Sequence, residues 1–475
     1  MPATKSSDAW TPLLAAHLLS RAGFGGSPES ISSLHGMGRT AAVEYLLAGD
    51  EDTDIFPPPE LTPVAEAYWA FRQANMMAEG EEKRELLGEL RRAQDEQLRA
   101  VRAWWLQRMR YTRYPLREKM TLFWHGHFAT SFDKVNSANL MYQQNETFRT
   151  HALGNFNSLT KDISRDPAMM RYLDLNRSEA KRPNENFARE LMELFTLGEG
   201  VRYTETDVRE AARALTGYRM TPASGAFRYQ PKAADQTEKT FLGRTGNWNG
   251  DDVIDIICEQ PECAAFISRK IWVYLAGTEP GPDLHARLTR HFQDSRYEIK
   301  PLLREILLSP EFYSPQVVRR QVKSPVQWLV QISHSLEAPL PPPNACEFIL
   351  RSMGQVLFAP PNVKGWAGGR SWINGSTYLL RCNLAGTIVG ADDKPLDKSR
   401  DAIPVEWDRI APAGLRGNPE AMCDAFAFRF LNVPLEPTDR QKVVAFLAKR
   451  GPEINDATVK DCVHLIMSTP EFQLT

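Results

Sequence analysis

The sequence predicts an all-α (mainly α) fold: a multi-helical single body with one small β-hairpin and a helical C-terminal subdomain. Three observations carry this. Apolar residues recur at helical spacing along most of the chain. Helix starts and stops, with Ser, Thr or Pro opening and Gly closing, recur just as often. Runs that suit a strand are few and short. With 475 residues, 42% hydrophobic and 24% charged, the chain can bury one large core or two moderate ones.

In chain order, Leu13, Leu14, His17, Leu18 and Leu19 sit at helical spacing. Ser27-Pro28-Glu29 opens a short helix that Gly36 closes, and Thr40 to Leu47 forms another closed by Gly49. After Phe56-Pro57-Pro58-Pro59, the stretch from Pro63 to Arg113 is a long helical pattern interrupted near Gly80, and its Glu81 to Arg99 part is charged enough to be a solvated arm. Between Pro183 and Gly198, Phe187, Leu191, Leu194 and Phe195 share one face, with Met192 and Leu197 on its flanks, so that helix is buried on several sides. Thr204-Glu205-Thr206-Asp207 is a capping-box variant ahead of Val208, Ala211, Ala212 and Leu215, with Gly217 as the stop. Phe227-Arg228-Tyr229 and Lys239-Thr240-Phe241 are expected to pair as the one hairpin.

A repeat comes late. Leu302 to Phe312 is echoed without a gap by Cys462 to Phe472, each ending in Ser-Pro-Glu-Phe or Thr-Pro-Glu-Phe, which suggests duplicated helical hairpins whose proline halts the helix. The polar stretch Ala385 to Pro404 separates them. The expected organisation is a main helical domain over 1–384, a linker loop over 385–404 and a C-terminal helical subdomain over 405–475.

Several function classes are excluded. A net charge of −2 leaves no general basic footprint, so no nucleic acid partner is expected. No run of ~18 apolar residues occurs, so no membrane span is expected. The opening Met-Pro-Ala-Thr-Lys-Ser-Ser-Asp-Ala-Trp lacks the apolar region of a signal peptide, which predicts a cytoplasmic protein. Six cysteines at 258, 263, 346, 382, 423 and 462 form no CxxC pair or zinc spacing and read as scattered thiols. Walker A, HExxH and GxSxG patterns are absent.

Taken together, His17-Leu18-Leu19-Ser20-Arg21-Ala22-Gly23-Phe24-Gly25, Phe123-Trp124-His125-Gly126-His127-Phe128 and Asn184-Glu185-Asn186-Phe187-Ala188-Arg189-Glu190-Leu191 resemble the bacterial family known as domain of unknown function 1800. Val322-Lys323-Ser324-Pro325 and Pro360-Pro361-Asn362-Val363-Lys364-Gly365-Trp366 extend the resemblance over nearly the whole chain. The resemblance implies no settled activity. Members are often encoded beside a sulfatase-like protein, which implies such a protein as a partner, and many look exported, unlike this chain. Relatives tend to have a His before the Asp where this chain has Ala234-Asp235.

Candidate chemistry centres on polar groups embedded among apolar ones. Glu190 lies beside Leu191 and Leu194, where a buried carboxylate needs a cation, a metal or several donors, so it is the leading general base or carboxylate ligand. Asn186 lies on the same polar strip, while Glu185, Arg189 and Glu193 fit an i,i+4 ladder of ion pairs. His125-Gly126-His127 suits a divalent metal if extended, whereas on a helix the rings diverge by about 200°, with His127 on the buried face and His125 off it. Asn145 and Arg149 belong to an amide-rich helix that could face Glu190. The Gly-rich loop from Trp366 to Gly375, with Trp372, suits stacking on a sugar or covering a pocket. The leading reading is an enzyme, a metal-assisted hydrolase with His125, His127 and Glu190 as catalytic groups and metal ligands, and with Asn186, Arg189, Asn145, Arg149, Trp366 and Trp372 in binding. It predicts that His127, Glu190 and Asn186 meet across one cavity. The alternatives are a non-catalytic helical scaffold or accessory partner of the sulfatase-like protein, and a carbohydrate-binding protein built on the tryptophan loop.

Overall fold

The computed structural model describes residues 10–49, 56–221, 223–391, 403–451 and 454–475. Helices dominate, and among the described residues the only sheets are two antiparallel pairs of three-residue strands. The expected pairing of Phe227–Tyr229 with Lys239–Phe241 is corrected. Phe227–Tyr229 pairs with Tyr218–Met220, and Lys239–Phe241 pairs with Arg244–Gly246. The second pair closes through Leu242 and Gly243 with φ of 47° and 79°, the two left-handed positions of a tight hairpin turn, so each strand takes the nearest partner.

Local signals set the helix ends. Thr204 accepts from the Asp207 N–H, and Asp207 returns a bond to the Thr204 N–H, opening the helix Glu205–Ala214. The helix Glu81–Tyr111 runs 31 residues; its first part is solvated, and its second part buries Leu98, Val101, Trp105, Leu106 and Met109. The two repeats are alike: Ile299–Leu308 and Asp456–Met467 each end in a 3-10 turn, Pro310–Tyr313 and Pro470–Gln473, with Phe312 and Phe472 wholly buried.

Two apolar cores result, and the repeats serve different ones. Phe312 belongs to the core that holds Trp124, Phe156, Phe195 and Trp272, whereas Phe472 belongs to the one that holds Trp105, Trp328, Phe358 and Phe430. The second core draws on Leu98 to Met109, Val326 to Phe358 and the helices after residue 403. Of the stretch expected as a linker, residues 385–389 complete the helix Gly375–Val389, and 392–402 lie outside the described residues. The helix Pro115–His127 lies on the seam, giving Leu116, Met120, Phe123 and Trp124 to one core and Leu122 to the other. Among the described residues no helix is long and apolar enough to cross a membrane.

Candidate functional site

The helix Pro115–His127 starts with proline at its first position, where the missing N–H costs nothing, and is covered on nearly every side. It stays helical through Gly126, so the two histidine rings diverge. His125 Nε2 accepts the Phe358 N–H at 3.0 Å, which puts its proton on Nδ1. His127 Nε2 donates to the Phe195 carbonyl at 2.9 Å. The expectation that His125 lies off the buried face is corrected: it is 1% exposed, because a second core covers that side. Burial, followed by the charge of Arg102, lowers its pKa to about 3. Burial and then Lys270 lower His127 as well.

Gly126 gives room to a third segment. A side chain at Gly365 would meet the Gly126 carbonyl oxygen at 2.2 Å, and Gly365 has a φ of 77°, so only glycine lets the loop settle there. Trp366 follows at once, its ring 5.6 Å from that of His125. The carbonyl held by His127 belongs to a wide turn, Leu191–Thr196, in which Leu197 N–H bonds Met192 O at 2.8 Å, five residues back. The His-Gly-His segment thus fixes the Phe358 turn, the Trp366 loop and this turn to one helix.

What these contacts frame is a cleft of about 330 Å³, open at the seam between the cores. Two helices line it with the same pattern. Lys119, Leu122, Phe123 and Gly126 face it from Pro115–His127; Lys270, Val273, Tyr274 and Gly277 face it from Pro261–Ala276 and its left-handed cap. Both sets are spaced i, i+3, i+4 and i+7, one helical face. Trp366, Trp372, His127 and Lys364 complete the wall.

Lys119 and Lys270 lack acids, whereas Lys364 stands 3.8 Å from Glu199. Lys119, 5% exposed, bonds Gln327 Oε1 at 2.6 Å and lies over the Phe24 and Tyr274 rings. Burial, then Arg21, brings its pKa down to about 7. Lys270 lies 5.1 Å over the Phe266 ring, and burial, then Arg269, brings it to about 8. Among the described residues neither has a carboxylate within salt-bridge distance.

Asn145 and Arg149 lie elsewhere, in a closed centre around Glu118. Its carboxylate accepts from Arg108 Nε at 3.0 Å, Arg149 Nε at 2.6 Å, Arg149 Nη2 at 3.0 Å and Trp105 Nε1 at 2.8 Å. Arg149 also donates to Asn145 Oδ1 at 2.7 Å. Burial pushes the Glu118 pKa up, but Arg149 and Arg108 outweigh it and hold it below the ordinary value. Two arginines against one wholly buried carboxylate, with Glu146 bonding Arg149 from the rim, make a structural knot.

The helix Glu185–Glu190 presents its polar groups outward. Asn186 is exposed, Arg189 forms a bidentate pair with Glu205 at 2.6 and 2.7 Å, and Glu190 is half-buried. Burial and then Glu193 raise the Glu190 pKa, against Lys364. Glu190 and Asn186 do not line the cleft, so His127 is not joined by them there. The first rung of the ion-pair ladder is present, Glu185 with Arg189 at 3.8 Å, but among the described residues no salt bridge joins Arg189 to Glu193, which lies in the wide turn beginning at Leu191. The divalent metal finds no fit. Among the described residues no three His, Cys, Asp or Glu side chains converge to hold one, and His125 spends its only lone-pair nitrogen on Phe358. Sequence reasoning placed Trp366, Trp372 and His127 but missed Lys119 and Lys270, whose shared Lys-x-x-apolar-aromatic-x-x-Gly pattern was the available signal.

A family model described as protein of unknown function (DUF1800) matches residues 17–474, and the chain belongs to that family. No curated protein and no solved structure matches it.

Proposed function

We propose that this chain is a carbohydrate-binding protein whose site is the cleft beside the Trp366–Trp372 loop. The observation that carries the proposal is a wall combining two tryptophans and a tyrosine with cationic donors around about 330 Å³, enough for a small sugar. Indole faces stack on the C–H faces of a sugar ring, while ammonium groups bond its oxygens. Titrating tryptophan emission with glucose, galactose, N-acetylglucosamine and their disaccharides tests it. A saturable change that Trp366→Ala abolishes and that Trp69→Ala, at an exposed site on the helix Val64–Met76, leaves intact is expected. No saturable change with any of these, or with acidic sugars, overturns it.

A hydrolytic role finds support in one observation. His127 has its Nε2–H committed to Phe195 while Nδ1 is buried and unpartnered, an unprotonated acceptor suited to a ligand hydroxyl or water. In that case His127→Asn retains sugar binding and loses turnover. The scaffold reading, with the solvated part of Glu81–Tyr111 holding a sulfatase-like partner, leaves the cleft without a use. Cytoplasmic placement belongs to the proposal as well, and cell fractionation checks it.

A further inference from the structure

The polar groups of the cleft divide unevenly between donors and acceptors. Gln327 Oε1 is taken by Lys119, and its Nε2 donates to the Ser20 carbonyl at 2.6 Å. Gln355 Oε1 accepts the Val326 N–H at 3.0 Å, Gln321 Oε1 accepts from Arg21, and both Glu279 oxygens are held by Arg269 at 2.6 and 2.7 Å. These amide and carboxylate acceptors at the rim and floor are therefore engaged, while the buried Nδ1 of His127 is not. The donors are not. An ammonium has three N–H groups; Lys119 uses one on Gln327, and Lys270 has only a ring beneath it.

The charge behind the cleft points the same way. Arg21 is wholly buried and bonds the Leu275 and Val317 carbonyl oxygens at 3.1 and 2.8 Å and a main-chain oxygen of Thr475 at 2.7 Å. Lys323, 1% exposed, donates to the Phe472 carbonyl, and Arg381 to the Lys323 and Trp372 carbonyls. The carbonyl dipoles around Arg381 satisfy its hydrogen bonds without neutralising its charge, so it adds a positive field behind the opening.

We infer that the ligand of this cleft carries an oxyanion, a carboxylate, phosphate or sulfate on a sugar-sized body, seated against Lys119 and Lys270. The inference rests on the reading of the cleft as a ligand site and adds the class of ligand. Ion-pair hydrogen bonds of this kind separate an acidic sugar from its neutral parent by about tenfold or more.

Calorimetric titration of the full chain with glucose, glucuronate, glucose 6-phosphate and inorganic phosphate tests it. The expected result is that the two acidic sugars bind about tenfold or more tightly than glucose, and that added salt narrows the gap. Lys270→Met removes the preference and Lys270→Arg keeps it. Lys270 has no carboxylate partner to strand, and chemical denaturation confirms that the variant is folded. If glucose binds as tightly as its acidic relatives, or Lys270→Met keeps the preference, the oxyanion subsite is wrong while the sugar site stands. Should inorganic phosphate bind in a Lys270-dependent way while no sugar does, the subsite stands and the carbohydrate reading falls. Absence of binding by all four overturns both.

Discussion

Glu118 and Lys119 are consecutive on one helix and lead to opposite kinds of interior. Glu118 accepts four hydrogen bonds from two arginines and a tryptophan and is sealed. Lys119 meets one amide oxygen and two ring faces, in a cleft whose other buried-side cation, Lys270, is also without an acid. Burying a charge is costly, and the helix meets that cost on one side with partners from its own chain. On the other side it leaves the partner to be supplied. A complete polar knot is what a fold needs; an incomplete one with access to solvent is what a ligand needs.

The largest expected difference between the two comes from removing one charge from each. Glu118→Ala removes the buried carboxylate that Arg108, Arg149 and Trp105 share and should cost about 3–5 kcal/mol, or prevent folding. Lys270→Met strands nothing and, because burial brings the Lys270 pKa down to about 8, should leave stability unchanged or raise it. Urea denaturation reads both, and similar losses would erase the distinction.

Next comes Gly365→Ala. The new methyl meets the Gly126 carbonyl oxygen at 2.2 Å on a left-handed backbone, so a loss of about 1–3 kcal/mol is expected together with weakened sugar binding as Trp366 shifts. Full binding in this variant would mean that the loop position does not matter.

The pH response should separate the neighbours. Folded Lys119 gives up its proton at about 7, whereas the unfolded chain holds it to about 10.5, so stability rises with pH between those values. Lys119→Met should flatten that rise. Glu118, held below its ordinary value when folded, supports the fold above the unfolded carboxylate range and loses that contribution as pH falls through its lower folded value. Denaturation midpoints from pH 3 to 10 check both slopes. The smallest effect is expected on the surface: Arg189→Ala removes a solvent-screened pair with Glu205 and should shift the denaturation midpoint least of these variants, without changing binding.

Most of the helical architecture was legible because it is written in short-range terms: capping at Thr204, proline starts, and the echo of Leu302–Phe312 in Cys462–Phe472. Strand pairing was half legible: Phe227–Tyr229 and Lys239–Phe241 were visible, but their partners Tyr218–Met220 and Arg244–Gly246 were not, nor was the left-handed Leu242-Gly243 turn that closes the second pair. The cleft was read through its tryptophans and His127 and misread through Glu190. A carboxylate among leucines looks buried at ideal helical spacing, but the wide turn after Glu190 and the exposed start of that helix turn the strip outward. Lys119 and Lys270 were overlooked because a lysine on a helix is ordinarily solvated, and only the tertiary packing of two matching faces removes their water.

The central claim is electrostatic, and fluorescence quenching of Trp366 tests it most directly. The difference in emission between wild type and Trp366→Phe isolates that indole from the others. At equal ionic strength the ratio of iodide to caesium quenching should exceed that of free N-acetyltryptophanamide, because ammonium groups gather one ion and repel the other, and Lys270→Met should narrow that excess. A ratio no higher than that of the free compound, or an excess that Lys270→Met leaves untouched, would contradict the account.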